Sequence, residues 1–219
     1  MSIVPSTIPT SSLTLADVLT IARDFAPARV RMQPLPGSAT EQDVLRIAQS
    51  EQRLCELVDG TLVEKLMGAY ESLLAAWLIQ LLGPHIRSHN LGVLLGADGM
   101  LALAPGLVRI PDVSFIAWSQ IPSRKFPRQP IPSLHPDLAI EVISPANSKR
   151  EMDRKLRDYF HAGTRMVWMI DPALQQVDVF HSLDAKTSYN TGDMLSGGEV
   201  LPGFSLAVAE IFAIPTDEA

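Results

Sequence analysis

The stretch that most constrains this chain is Leu138 to Ile143, an apolar run of strand type interrupted only by Glu141. A strand that apolar is buried on both faces. A lone carboxylate in such a place costs several kcal/mol or is neutralised by protonation, so Glu141 calls for a partner. A divalent metal is one such partner, and an arginine or a set of backbone amides is the plainer one. The residues that follow limit the fold further. Ser144-Pro145 ends the strand, and Ser148 with Glu151 has capping-box spacing. Met152, Leu156, Tyr159 and Phe160 share one helical face, and Gly163 supplies the stop. Arg165 to Asp171 is a second apolar strand. Strand, helix, strand predicts a right-handed crossover onto a parallel or mixed sheet, and so an α/β chain of α+β type with helices flanking a mixed central sheet.

Val108 to Ala117 repeats the pattern as a strand carrying Asp112 among Ile110, Val113, Phe115 and Ile116. Pro111 suits a strand edge or a bulge, where no ladder hydrogen bond is lost. Two neighbouring strands thus each place one acid in apolar surroundings. Hard cations such as Mg²⁺ take oxygen ligands, typically one or two carboxylates plus waters. Lys155 lies between Met152 and Tyr159 on the apolar face of the helix, whereas Arg154 and Arg157 lie off it. A lysine directed at a sheet must keep its ammonium hydrated or paired. Two acids with a lysine leaning over them are the parts of a metal-assisted phosphodiester hydrolase.

Four segments make this constellation resemble the PD-(D/E)XK nuclease superfamily and, within it, the Uma family. They are Arg-Ile-Pro-Asp-Val-Ser-Phe at 109–115, Pro-Asp-Leu-Ala-Ile-Glu-Val-Ile-Ser-Pro at 136–145, Glu-Met-Asp-Arg-Lys-Leu-Arg-Asp-Tyr-Phe at 151–160 and Val-Leu-Pro-Gly-Phe at 200–204. The resemblance covers residues 50 to 212. It implies a restriction-endonuclease-like domain that cuts nucleic acid, DNA by expectation, with Mg²⁺ or Mn²⁺. Asp112 would be the first acid, Glu141 the second, and the carbonyl oxygen of Val142 a metal ligand. The lysine of the simplest motif would stand at Ile143, so the resemblance moves that role onto Lys155. It also offers Glu71 as an auxiliary helix carboxylate. Glu71 sits in the first turn of its helix, where an acid is equally explained by the helix dipole.

Composition narrows the setting. The chain has 219 residues, 47% of them hydrophobic, enough for one domain over 51–214 with an extension over 1–50. A formal net charge of −6 argues against broad nonspecific binding to nucleic acid and leaves room for a local basic patch. The same charge keeps a second reading open, a nuclease-fold binding module that does not cut. A third reading is structural, with Glu141 paired to Arg109 or Arg165. The single cysteine, Cys55, fits a reducing compartment. With no apolar run of ~18 residues and no signal-like N-terminus, a cytoplasmic protein without a membrane span is expected. Two copies would suit double-strand cleavage.

Elsewhere, residues 1–12 read as disordered, Thr14 to Phe25 as a helix capped by Thr14, and Thr40 to Arg53 as a second helix. Asp59-Gly60 predicts a hairpin between Leu54–Val58 and Thr61–Met67. A helix follows from Ala69 to Leu82, ended by Gly83-Pro84, with Leu73, Leu74, Trp77, Leu78, Leu81 and Leu82 as its core stripe. Strands at 91–97 and 100–103 are expected to form a meander with 108–117. The long loop 119–136 carries Arg124, Lys125 and Arg128 as candidates for phosphate contacts. Val177 to His181 should pair with 165–170, and residues 184–199 read as turns. Tyr159 reads as core packing.

Overall fold

The computed structural model describes residues 14–214; the Ser/Thr/Pro-rich residues 1–12 lie outside them. The strand with Glu141, β7 (Leu138–Val142), is central in a six-stranded sheet of order β10-β9-β8-β7-β6-β3. Its neighbours are β6 (Val113–Ala117), antiparallel, and β8 (Met166–Asp171), parallel. The parallel pair flanks α4 (Lys149–Ala162), the predicted crossover helix, which ends at Gly163 in a left-handed conformation. The outer strands are β3 (Gly92–Leu95), β9 (Gln176–Ser182) and β10 (Ala185–Asn190).

Alternation along β7 fixes what each face does. Leu138, Ile140 and Val142 join one large core with α3 (Ala69–Ser88) and α5 (Val208–Phe212). Ala139 faces the other way, against Met152, Leu156 and Tyr159 of α4. Glu141 has the parity of Ala139 and therefore meets α4.

A second sheet has the order β2-β1-β5-β4, with β1 (Cys55–Val58), β2 (Thr61–Glu64), β4 (Leu101–Ala104) and β5 (Leu107–Arg109). The hairpin at Asp59-Gly60 forms as predicted, with both residues at positive φ. Helix α2 (Glu41–Ser50) packs Val44 and Ile47 on Cys55, Leu57 and Val108. Glu56 and Arg109 alternate to the face away from α2. The short helix α1 (Leu15–Ile21) carries the expected Thr14 cap but stops before Phe25. Beyond it, Arg29 ties this part of the chain to α4, with its Nη1 donating to Glu151 at 2.8 Å and its Nε to the Glu64 carbonyl at 2.7 Å.

Several expectations are corrected. Residues 108–117 are two strands: β5 belongs to the small sheet, β6 to the large one, and Ile110-Pro111-Asp112 crosses between them. Pro111 has no N–H for a ladder, and the Ile110 N–H goes to Glu56 at 3.1 Å. The meander is likewise divided, since β3 pairs with β6 and β4 with β5. The stretch 184–199 holds β10 and β11 (Met194–Ser196), the latter paired with β12 (Ser205–Ala207). Their sequence is too polar and too exposed to show a two-residue hydrophobic period. Ser148 caps α4, but Glu151 does not close a capping box because Arg29 holds its carboxylate.

Helix α3 runs through Gly83-Pro84 to Ser88. Burial of Ile86 extends the stripe Leu74, Leu78, Leu82 by one more turn, and that packing outweighs the local breaker. Leu73 is 49% exposed and Trp77 donates to the Glu210 carbonyl, so the buried stripe is narrower than the sequence suggests. Ile86→Ala should therefore cost about 2–5 kcal/mol in urea unfolding, the usual loss for a buried aliphatic. Leu73→Ala should stay within about 0.5 kcal/mol. Equal effects would mean that the stripe does not continue past Pro84.

Candidate active site

Asp112, Glu141 and Lys155 come together between the two sheets and α4. The pairing Val113↔Ile140 carries one step further to set Asp112 opposite Glu141. Asp112 is at the crossing between sheets, and its Oδ2 accepts the Val142 N–H at 2.7 Å. Its Oδ1 lies 2.8 Å from Lys65 Nζ. Glu141 Oε2 accepts from Lys155 Nζ at 2.7 Å, and Oε1 accepts from the Tyr159 hydroxyl. Lys155 is only 4% exposed, and its ammonium also lies 3.5 Å from Glu56 Oε1. Glu56 in turn accepts from Arg109 Nη1 at 2.6 Å, and Arg109 donates to Asp158 at 2.5 Å. Charges thus alternate through the buried chain Glu141, Lys155, Glu56, Arg109 and Asp158, while Asp112 pairs separately with Lys65 beside the like-charged Glu141.

The two buried glutamates respond oppositely to this setting. Burial pushes the Glu56 carboxyl up, but Lys155, Arg109, Lys65 and the Ile110 N–H outweigh it and hold its pKa near 2. At Glu141 burial wins. Lys155 and Lys65 favour its charge, Asp112 and Glu56 oppose it, and its pKa is raised above the ordinary carboxylate value. Burial opposes the charge on Lys155, yet Glu141, Glu56 and Asp112 keep the ammonium protonated, with its pKa raised. Burial and Glu141 hold Tyr159 neutral, so its hydroxyl is a donor.

Glu71 does not join the cluster's network of hydrogen bonds and ion pairs among the described residues. Its carboxylate folds over Gly68, where an added Cβ would come 2.1 Å from Oε2. Arg109 and Arg165 do not pair with Glu141: the first serves Glu56 and Asp158, and the second lies 4.0 Å from Asp137 and 3.6 Å from Glu199. Arg124, Lys125 and Arg128 are exposed, with the Arg124 guanidinium 5.9 Å from the Trp118 ring centre.

Glu56, Lys65 and Asp158 escaped the sequence reading, and Tyr159 proves to be both core and ligand to Glu141. Glu56 carries the same signal as Glu141, an acid inside an apolar strand run, and the same rule would have found it. Lys65 carries no such signal. It follows the end of β2, and only the tertiary fold brings its stem under Ile110 and Asp112.

The donors offered by Asp112 and Glu141 are oxygens alone, and among the described residues no group of three or more His, Cys, Asp or Glu is gathered to hold a metal. Two carboxylates fit an ion of Mg²⁺ type, which keeps several waters, better than zinc.

A family model described as "Putative restriction endonuclease", that of Uma2, matches residues 41–209. The chain belongs to the Uma2 family. The site of this Uma2 protein lies wholly within the matched segment. None of the curated proteins compared matches the chain. Among solved structures, a "putative nuclease belonging to DUF820" from Anabaena variabilis ATCC 29413 is similar with a TM-score of 0.66 at 20% identity, covering 74% of this chain and 90% of that one. At that identity the likeness is one of fold: the Uma2 chain has a nuclease fold with a mixed sheet between helices.

The electrostatics give a stability test. A carboxyl with a lowered pKa contributes stability that is complete above its unfolded value of about 4.5 and is lost as pH falls toward about 2. Glu56→Gln should therefore lower the melting temperature at pH 7, by an amount corresponding to about 3–5 kcal/mol, and the gap to wild type should close on acidification. Glu141→Gln should raise the metal-free melting temperature at pH 7, because its charge is unfavourable there. If both variants lose stability alike, the two glutamates do not differ in the way described.

Proposed function

We propose that this Uma2 protein is a divalent-metal-dependent endonuclease acting on DNA. The observation that carries this reading is the meeting of Asp112, Glu141 and Lys155 in one buried cluster. Asp112 and Glu141, with the Val142 carbonyl, would hold Mg²⁺ or Mn²⁺. When bound, that ion supplies charge to polarise a phosphate and acidify a water. The protein's own groups do the rest. The Val142 N–H fixes the Asp112 carboxylate, and the Tyr159 hydroxyl fixes Glu141. The Lys155 ammonium has three N–H donors. One is used on Glu141 and one points toward Glu56, leaving a third to orient the attacking water or bind a phosphate oxygen. Attack by the water oxygen on phosphorus would break one bridging P–O bond and leave a phosphate and a hydroxyl end. Exposed Arg124, Lys125 and Arg128 would contact the strand through its phosphates. Glu71 would act only as an outer carboxylate. A pair of copies would suit cutting both strands at one place, whereas one copy suffices for a nick.

Supercoiled plasmid incubated with Mg²⁺ or Mn²⁺ should be converted to the relaxed form. Asp112→Asn, Glu141→Gln and Lys155→Ala should each lower that rate by about a hundredfold or more. Glu71→Gln should retain most of it. Arg154→Ala should retain cleavage too, because Arg154 pairs with exposed Asp59 and with Asp158 at the far end of the cluster and touches neither Asp112 nor Glu141, although losing those pairs will cost some stability. Calorimetry with Mn²⁺ should give weak binding that Asp112→Asn removes. A wild-type protein that neither binds metal nor nicks would leave a nuclease-fold binding module as the surviving reading.

A further inference from the structure

Lys65 touches Asp112 directly, yet neither the sequence reading nor the proposed reaction uses it. It follows β2, and its backbone is anchored by the Lys65 N–H donating to the Leu54 carbonyl at 2.8 Å. Its side chain, only 7% exposed, reaches Asp112 Oδ1 at 2.8 Å and the Ile110 carbonyl oxygen at 2.5 Å. A carboxylate oxygen and a main-chain carbonyl oxygen are the donors that a hard cation takes. The charge of Lys65 is felt across the site, since it also favours the ionised forms of Glu56 and Glu141. A divalent ion arriving at Asp112 would meet this ammonium on the same oxygen. Like charges at ion-pair distance in a buried site repel strongly, so both cannot stay. The way out is short: Leu66 and Gly68, next along the chain, are exposed, and the four-carbon stem can swing its head outward.

We propose that Lys65 is a resident cation that fills the metal's place on Asp112 and, once displaced, becomes a second catalytic lysine that binds a phosphate oxygen of the nucleic acid. This rests on the metal-dependent nuclease reading above. Without metal the ammonium neutralises Asp112 and keeps the site assembled. With metal and DNA the same group moves from a carboxylate of the protein to an anionic oxygen of the substrate, where it offsets charge that grows in the transition state.

The expected results are specific to Lys65. Removing the competing charge in Lys65→Met should tighten Mn²⁺ binding in calorimetry by about tenfold, while plasmid nicking falls by about a hundredfold. Lys65→Arg, which keeps the charge, should bind Mn²⁺ near the wild-type affinity. A second measurement needs no variant. Brief acylation with an amine-reactive reagent, read by mass spectrometry, should leave Lys65 protected in metal-free wild type and label it when Mn²⁺ is saturating. Lysines far from the site, such as Lys186, should label equally in both states. If wild type takes up Mn²⁺ in an Asp112-dependent manner and Lys65 labelling does not change, Lys65 is not displaced and the inference falls alone. Wild-type Mn²⁺ affinity and nicking in Lys65→Met would also overturn it. If wild type takes up no metal at all, the nuclease reading falls and takes this one with it.

Discussion

The structure depends on burying the Lys155 ammonium between two sheets. One carboxylate that faces it, Glu141, belongs to the six-stranded sheet, and the other, Glu56, to the four-stranded sheet. An unpaired buried ammonium costs several kcal/mol, so helix α4 docks in the register that brings Lys155 within reach of these acids. Apolar packing of Met152, Leu156 and Tyr159 brings the helix down onto the large sheet. The charges then fix its register against the small one, through Arg109 to Asp158 and Arg29 to Glu151. Sliding α4 by one turn would leave Lys155, Asp158 and Glu151 all unpaired in the interior.

The network divides into a supporting half and a strained half. Around Arg109 the charges are complementary, and Glu56 and Arg109 are each held in their charged forms despite full burial. Around Glu141 they are not. Burial raises the pKa of Glu141 most, and the neighbouring carboxylates Asp112 and Glu56 add to it against the pull of Lys155 and Lys65. The supporting half makes this tolerable, because Arg109 and Asp158 keep β5 and α4 in place on either side of the conflict.

Local charge also reconciles an acidic protein with an anionic substrate. The net charge of −6 is a property of the whole surface, and it acts weakly beyond a Debye length of roughly 8 Å at physiological salt. On the proposed reading, a phosphate at the site would meet Lys65, Lys155 and a bound cation at distances well within that length. The fold itself is shared with a protein only 20% identical. That is consistent with a constraint lying in which faces are apolar and where a few charges are paired, rather than in the identity of most residues.

The sequence by itself determined the elements whose signals are local. The run Leu138–Ile143 with its single acid, the Ser148 cap, the apolar face of α4, the Gly163 stop and the Asp59-Gly60 turn each depend on a few adjacent residues, and each is found where expected. The same local logic placed Asp112, Glu141 and Lys155 in one neighbourhood. What only the tertiary structure decided depends on partners distant in sequence. Pro111 did not merely mark an edge but split one apolar run between two sheets, because Ile110 could bond Glu56 some fifty residues away. Packing of Ile86 carried α3 through a Gly-Pro pair that would end an isolated helix. Glu151 went to Arg29 instead of to its own helix cap. Lys65 became part of the site because β2 ends beside the crossing strand, a proximity that no periodicity encodes. Ordinary local propensities are worth about 1 kcal/mol or less and an internal proline about 3, whereas burying an aliphatic side chain or orphaning a buried charge is worth several, so where the two disagreed the long-range term set the outcome.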